Sequence, residues 1–282
     1  MKQSGAWNKQ ALLQSPFFAP LHAVIAQMSE HDFPCLDDLN ALLLARDPPV
    51  FVASGKPLRF VAQGRGKLTF EQQYEPRCFL NGEAQTRDQN WHDLFNALVW
   101  LTFPQAKAAI NKRHYQALLE SQAPTAPANA STSQRGAVRD MNTLLDESGV
   151  IVACADAELS GLMGGFRWKE LFWQQREGVR AGMGFYLLGH GLYEKVLNPY
   201  IGLVGHGLLL KVERDFFGWP LEQRLSHLDC LLADYLNAPQ HCLSTRELNP
   251  VPLLGVPGWS PDNTREAYYD NTSHFRPGRL RG

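Results

Sequence analysis

Apolar residues recur at helical spacing over residues 11–47, first at Leu21, Val24, Ile25 and Met28, then at Leu39, Leu42 and Leu43. Pro16, Pro20 and Pro34 break that stretch into short pieces. From Pro48 the pattern changes. Val50–Val52, Leu58–Val61 and Leu68–Phe70 are short β-branched or aromatic runs, separated by Gly55, Pro57, Gly64 and Gly66. Such runs predict strands joined by turns. Asn90 opens the strongest helical pattern, with Trp91, Leu94, Phe95, Leu98 and Leu101 on one stripe. Pro104 stops that helix and suits the first turn of the next, which is predicted to run to about Ser121. Residues 122–134 are small, polar and proline-rich, and predict a flexible internal loop.

The stretch from Met141 to Asp156 predicts a β-hairpin. Asp146 and Gly149 suit the first and fourth positions of a type I turn, and Val150–Cys154 supplies the second strand. Helices are expected at 156–163, 166–178, 183–197 and 221–236, and a strand at 208–212. The proline-rich tail from Pro250 predicts an extended segment wrapping the body. Together these elements predict one compact α+β domain over residues 1–282. It should be predominantly helical, with a small antiparallel strand region drawn from 50–80 and 142–154.

Composition narrows the function classes. A chain of 282 residues with 44% hydrophobic and 20% charged residues folds around a substantial core without a metal or disulfide staple. Its formal charge is -1, which makes a nucleic-acid partner a poor expectation. The five cysteines are scattered and never form a C-x-x-C pair, so a reducing, cytoplasmic setting is expected. The first 14 residues lack the apolar core of a signal peptide. The most apolar stretch, 185–212, is interrupted by His190, Glu194, Lys195, Asn198, Pro199 and His206, so no membrane span is expected. Helix-borne H-E-x-x-H and G-x-S-x-G motifs are absent, and Gly64-Arg-Gly-Lys67 lacks the remaining phosphate-loop residues.

Candidate chemistry concentrates between Asn90 and His114. His92 and Asn96 stand four apart on one predicted helix, and Asn111 and His114 three apart on the next. If Pro104 turns the chain into a helical hairpin, both polar pairs converge, with Asp93 nearby. Imidazole and carboxylate groups bind divalent metals or move protons near neutral pH. His92, Asp93 and His114 are therefore candidate catalytic groups, and Asn96, Asn111 and Arg139 candidate substrate-binding groups. His190 and Glu194, again four apart, form a second candidate site on a helix expected to be buried. From Pro104 to Arg139 five basic residues face one acid, Glu120, which would suit a phosphate-bearing ligand. A structural use competes at each point. Asn90 can cap the helix with Asp93 in its first turn, and His or Asn can bridge helices by hydrogen bonds. Arg139-Asp140 and Asp146-Glu147 bracket the expected hairpin, where a carboxylate could be catalytic or serve as a turn residue alone.

The segments Asn90-Trp-His-Asp-Leu-Phe-Asn-Ala-Leu-Val-Trp100, Phe103-Pro104, Arg139-Asp140, Leu145-Asp-Glu-x-Gly149, Gly189-His-x-Leu-x-Glu194 and Gly255-Val-Pro-Gly-Trp259 resemble a bacterial family known as domain of unknown function 3025. The resemblance spans nearly the whole chain. It implies one compact bacterial cytosolic protein, and it implies no activity, cofactor or catalytic residue. The residues themselves support the expectation of a hydrolase for a phosphorylated or nucleotide-like small molecule, with a divalent metal as its cofactor. The alternative is a non-catalytic binding protein in which the His/Asn cluster is structural.

Overall fold

Gly149-Val-Ile-Val-Ala-Cys154 is buried at every position and forms strand β3. A strand covered on both faces needs no polar alternation. In the computed structural model, which describes residues 6–64, 66, 68–122 and 132–278, β3 lies inside a four-stranded mixed sheet. The order is β4 (Met183–Leu187), β3, β5 (Val204–Lys211) and β6 (Asn249–Pro252). β4 runs antiparallel to β3, β5 parallel to β3, and β6 antiparallel to β5. A second, two-stranded sheet pairs β1 (Arg59–Ala62) with β2 (Glu83–Thr86) in parallel, because helix α4 (Tyr74–Asn81) carries the chain back between them.

Helices supply most of the remaining structure. They are α1 (Lys9–Gln14), α2 (His22–Ile25), α3 (Leu36–Leu44), α5 (Trp91–Thr102), α6 (Pro104–Gln122), α7 (Thr132–Ser148), α8 (Ala157–Gly164), α9 (Arg176–Gly182), α10 (His190–Val196) and α11 (Leu221–Asn237). The fold is α+β and predominantly helical, as expected. No helix among the described residues is long and apolar enough to cross a membrane.

The helix pair around Pro104 forms as predicted. The Asn90 side chain accepts a hydrogen bond from the Asp93 backbone N–H and caps α5, while Pro104 occupies the first position of α6. The Trp91 and Phe95 rings stack, and Phe95 stacks in turn on Phe18 and on Tyr193 of α10. This aromatic ladder clamps α5 against α10. Most of the predicted 122–134 loop, residues 123–131, lies outside the described residues.

Three expectations are corrected. The hairpin at 141–156 is a helix running directly into β3. Met141, Asn142, Leu145 and Asp146 recur one helical turn apart and are all buried, and that burial outweighs the turn propensity of Asp146–Gly149. Gly149 permits the junction, because a Cβ there would stand 2.2 Å from the Leu145 carbonyl oxygen. The predicted helix 183–197 is strand β4 followed by α10, since Phe185 and Tyr186 favour the edge of the sheet. The strand regions do not merge into one antiparallel sheet. Residues 50–80 contribute β1 and an isolated bridge from Phe51 to Pro57, while Phe70–Gln72 and α4 are helical.

Candidate active site

The site is built where α7 ends and α10 begins, against the first turn of α5. Asp146 and Glu147 occupy the last turn of α7, where the helix dipole disfavours carboxylates. A local cost of that kind marks a position kept for something other than helix stability. His190 is the first residue of α10, and His92 the second of α5. The α5–α10 packing brings these two imidazoles face to edge, with ring centroids 4.4 Å apart.

The geometry of the pair is specific. The two Nε2 atoms lie 3.0 Å apart. Glu147 Oε1 stands 3.5 Å from His190 Nε2 and 3.8 Å from His92 Nε2. A point equidistant from these three atoms lies about 2.0 Å from each, the distance at which nitrogen and carboxylate ligands hold zinc and similar ions. Behind each ring stands a second carboxylate. Glu194 Oε2 is 3.3 Å from His92 Nδ1, and Asp146 Oδ2 is 3.7 Å from His190 Nδ1. Carboxylates behind the outer nitrogens are how metal-binding histidines are commonly oriented.

Electrostatics agree with this arrangement. Burial pushes the His190 imidazole down to about 3, so it is neutral at physiological pH with a lone pair to offer. Burial also raises the Glu147 and Glu75 carboxyls. For Asp146 burial works against the charge, but Lys107, His190 and His114 outweigh it and hold the carboxyl well below the usual range. Lys107, itself buried, forms an ion pair with Asp146. Neither Glu75 nor Glu147 pairs with a lysine or arginine among the described residues.

A polar cavity of about 240 Å³ opens over the cluster, with Gln63, Tyr74, Gln85 and Asn96 among its walls. An adjoining cavity of about 260 Å³ is lined by His114, Arg139 and Thr143. Glu75, Asp146 and Glu147 belong to both walls. In this second lobe Glu75, His114 and Asp146 place one donor atom each within 4.8 Å of the others.

The sequence-predicted residues thus divide. His92 meets His190 and Glu194, so the two sites expected separately are one. Glu194 does not pair with His190 on their own short helix; its exposed side chain reaches across to His92. His114 lies in the adjoining lobe rather than beside His92. Asp93 makes a two-pronged ion pair with Arg87 and caps the local chain. Asn96 donates to the Tyr74 hydroxyl, and Asn111 to Glu75. Arg139 is exposed at the rim of the second lobe. His206 lies on β5 and joins neither cluster. Two of the five basic residues expected to form a face over 104–139 are taken up by structure. Lys107 is buried, and Arg113 donates to Asn142 and to the Leu236 and Cys242 carbonyls. Glu75 and Glu147 were not among the predicted site residues. For Glu147 the one signal is its place beside Asp146 at the expected turn, where a carboxylate could be catalytic.

The family model described as "Protein of unknown function (DUF3025)" matches residues 58–279. The chain belongs to the DUF3025 family. Every residue of both clusters falls inside the matched DUF3025 region. No curated protein and no solved structure matches the chain.

Proposed function

We propose that this DUF3025 protein is a divalent-metal-dependent hydrolase of a small phosphorylated or nucleotide-like molecule, with His92, His190 and Glu147 as the metal ligands. The observation that carries the reading is the Nε2–Nε2–Oε1 triangle, whose centre suits an ion. Two histidines and one carboxylate leave positions open for water and substrate. A divalent ion there would polarise a substrate oxygen and make water a better nucleophile near neutral pH.

The chain's own residues prepare the site. His190 is already neutral, so it coordinates without first losing a proton. Glu194 backs the His92 ring at its outer nitrogen, and the Asp146 carboxylate lies near the buried His190 Nδ1, which has no hydrogen-bond partner among the described residues. The cavity walls carry amide and phenol groups suited to a polar ligand, and Arg139 at the adjoining rim suits a phosphate. A cytoplasmic setting belongs to the same proposal and is supported by five unpaired cysteines.

The test is turnover by chelator-stripped protein of p-nitrophenyl phosphate, its diester and a panel of nucleoside phosphates, with Mg²⁺, Mn²⁺ or Zn²⁺ restored singly. Metal-dependent hydrolysis that disappears in Glu147→Gln is expected. The absence of turnover under every metal overturns the hydrolase reading.

A binding protein with structural polar contacts is the second reading, and the Asn96–Tyr74 and Asn111–Glu75 bonds favour it for those two asparagines. On that reading Asn96→Ala costs about 1–3 kcal/mol of stability, and His92→Ala leaves the response to metals unchanged.

A further inference from the structure

We propose that a second divalent cation binds in the adjoining lobe, between Glu75, His114 and Asp146. This inference rests on the reading of the first cluster as a metal centre and extends it to the substrate side. The three donors come from three different helices, α4, α6 and α7, and they converge within 4.8 Å. Each carboxylate is held by one oxygen, and Asp146 Oδ2, 3.7 Å from His190 Nδ1, makes no hydrogen bond to it and remains available. Asn111 donates to Glu75 Oε2, and Lys107 pairs with Asp146 Oδ1. Asn111 is almost fully buried beside this cluster, and its Oδ1 has no hydrogen-bond partner among the described residues.

Charge supports two ions. Three carboxylates, Glu75, Asp146 and Glu147, line the wall common to both lobes. Lys107 offsets one of them, and Arg87 is already engaged by Asp93. Crowding of like charges into one wall is unfavourable unless cations share the space. The donor sets also differ. The first cluster offers two nitrogens and one oxygen. The second offers two oxygens and one nitrogen and opens to solvent, which suits a harder ion such as Mn²⁺ or Mg²⁺.

The device behind the pair of sites is the dipeptide Asp146-Glu147. Consecutive residues on a helix point about 100° apart, so one turn of α7 can feed both lobes. The His190 ring lies between them, with Nε2 toward the first cluster and Nδ1 toward Asp146. The two ions therefore share no ligand atom. The second one, next to Arg139, would hold the anionic end of a substrate whose scissile bond lies at the first.

Titration of chelator-stripped full-length protein with Mn²⁺, followed by calorimetry and by the electron paramagnetic resonance of free Mn²⁺, tests this. Wild type is expected to bind two ions. His114→Ala and the nearly isosteric Glu75→Gln are each expected to bind one, and His92→Ala to keep the second-lobe ion alone. A single ion that is lost in His92→Ala and unaffected in His114→Ala and Glu75→Gln overturns the second site and leaves the first standing. A single ion with the opposite pattern supports the second site and overturns the first. No ion at all overturns both.

Discussion

Gly191 touches no proposed ligand through a side chain of its own, yet its substitution should cripple the proposed metal centre. A Cβ at this position would stand 2.3 Å from Glu147 Oε2 and 3.0 Å from the Glu147 carbonyl oxygen. Ordinary carbon–oxygen contacts need roughly 1 Å more than the shorter of these distances, as the close packing of protein interiors requires. The carboxylate end is flexible and will swing aside, while the Glu147 carbonyl at 3.0 Å must give by a few tenths of an ångström. Alanine also favours the α10 helix over glycine by about 1 kcal/mol. The displaced carboxylate, however, leaves the His92–His190 pair without its anionic partner. Even lesser disturbances around metal ligands weaken binding by about 10–100-fold. At an ion concentration of about 100 times the wild-type dissociation constant, binding stabilises the fold by about 2.7 kcal/mol, and a 100-fold weaker site leaves about 0.4 kcal/mol. At about 2–4 °C per kcal/mol, a metal-induced Tm rise of several degrees shrinks to about one in Gly191→Ala. Scanning calorimetry of both proteins, with EDTA and with Mn²⁺ or Zn²⁺, reads this directly. A Gly191→Ala protein that keeps the full wild-type metal response would refute the placement of Glu147 among the ligands.

Other expectations follow from the same geometry. Lys107→Met strands the buried Asp146 charge and should cost about 3–5 kcal/mol in urea unfolding, with part of the loss recovered when Asp146→Asn is added. Asn90→Ala removes the α5 cap and should cost about 1 kcal/mol without changing the metal response. His274 accepts a hydrogen bond from the Gly202 N–H, and burial lowers its imidazole to about 4. The unfolded chain therefore binds more protons than the folded one between about pH 4 and the ordinary histidine value of about 6.5. Stability should rise with pH through that window and decline on acidification, by up to about 3 kcal/mol. His274→Gln should flatten this slope in chemical denaturation measured from pH 4 to 7, and an unchanged slope would assign the dependence elsewhere.

The helices around Pro104 were legible because each signal was local: a capping Asn90, an apolar stripe, and a proline that fits only a first turn. Strand β5 was legible for the same reason, from the apolar run at 208–212. The hairpin expected at 141–156 failed because two local codes competed. Asp146–Gly149 has the chemistry of a turn, but Met141 and Leu145 bury a helical face that only the tertiary structure reveals. The candidate site is half visible in the sequence. His92 and His190 were each singled out, but 98 residues separate them, and no periodicity reports a contact across that distance. Their meeting depends on the Phe18–Phe95–Tyr193 stack, which belongs to the packed core. Glu75 gave no signal at all, because a single glutamate early in a short helix is what helix capping alone would select.

His92, His190 and Glu147 are proposed to hold a divalent ion. Crystals grown with Mn²⁺ or Zn²⁺, with diffraction recorded on either side of the metal absorption edge, test it most directly. An anomalous peak is expected about 2.0–2.2 Å from both Nε2 atoms and from Glu147 Oε1. Histidines joined directly by a hydrogen bond at saturating metal, with no peak between them, would contradict it.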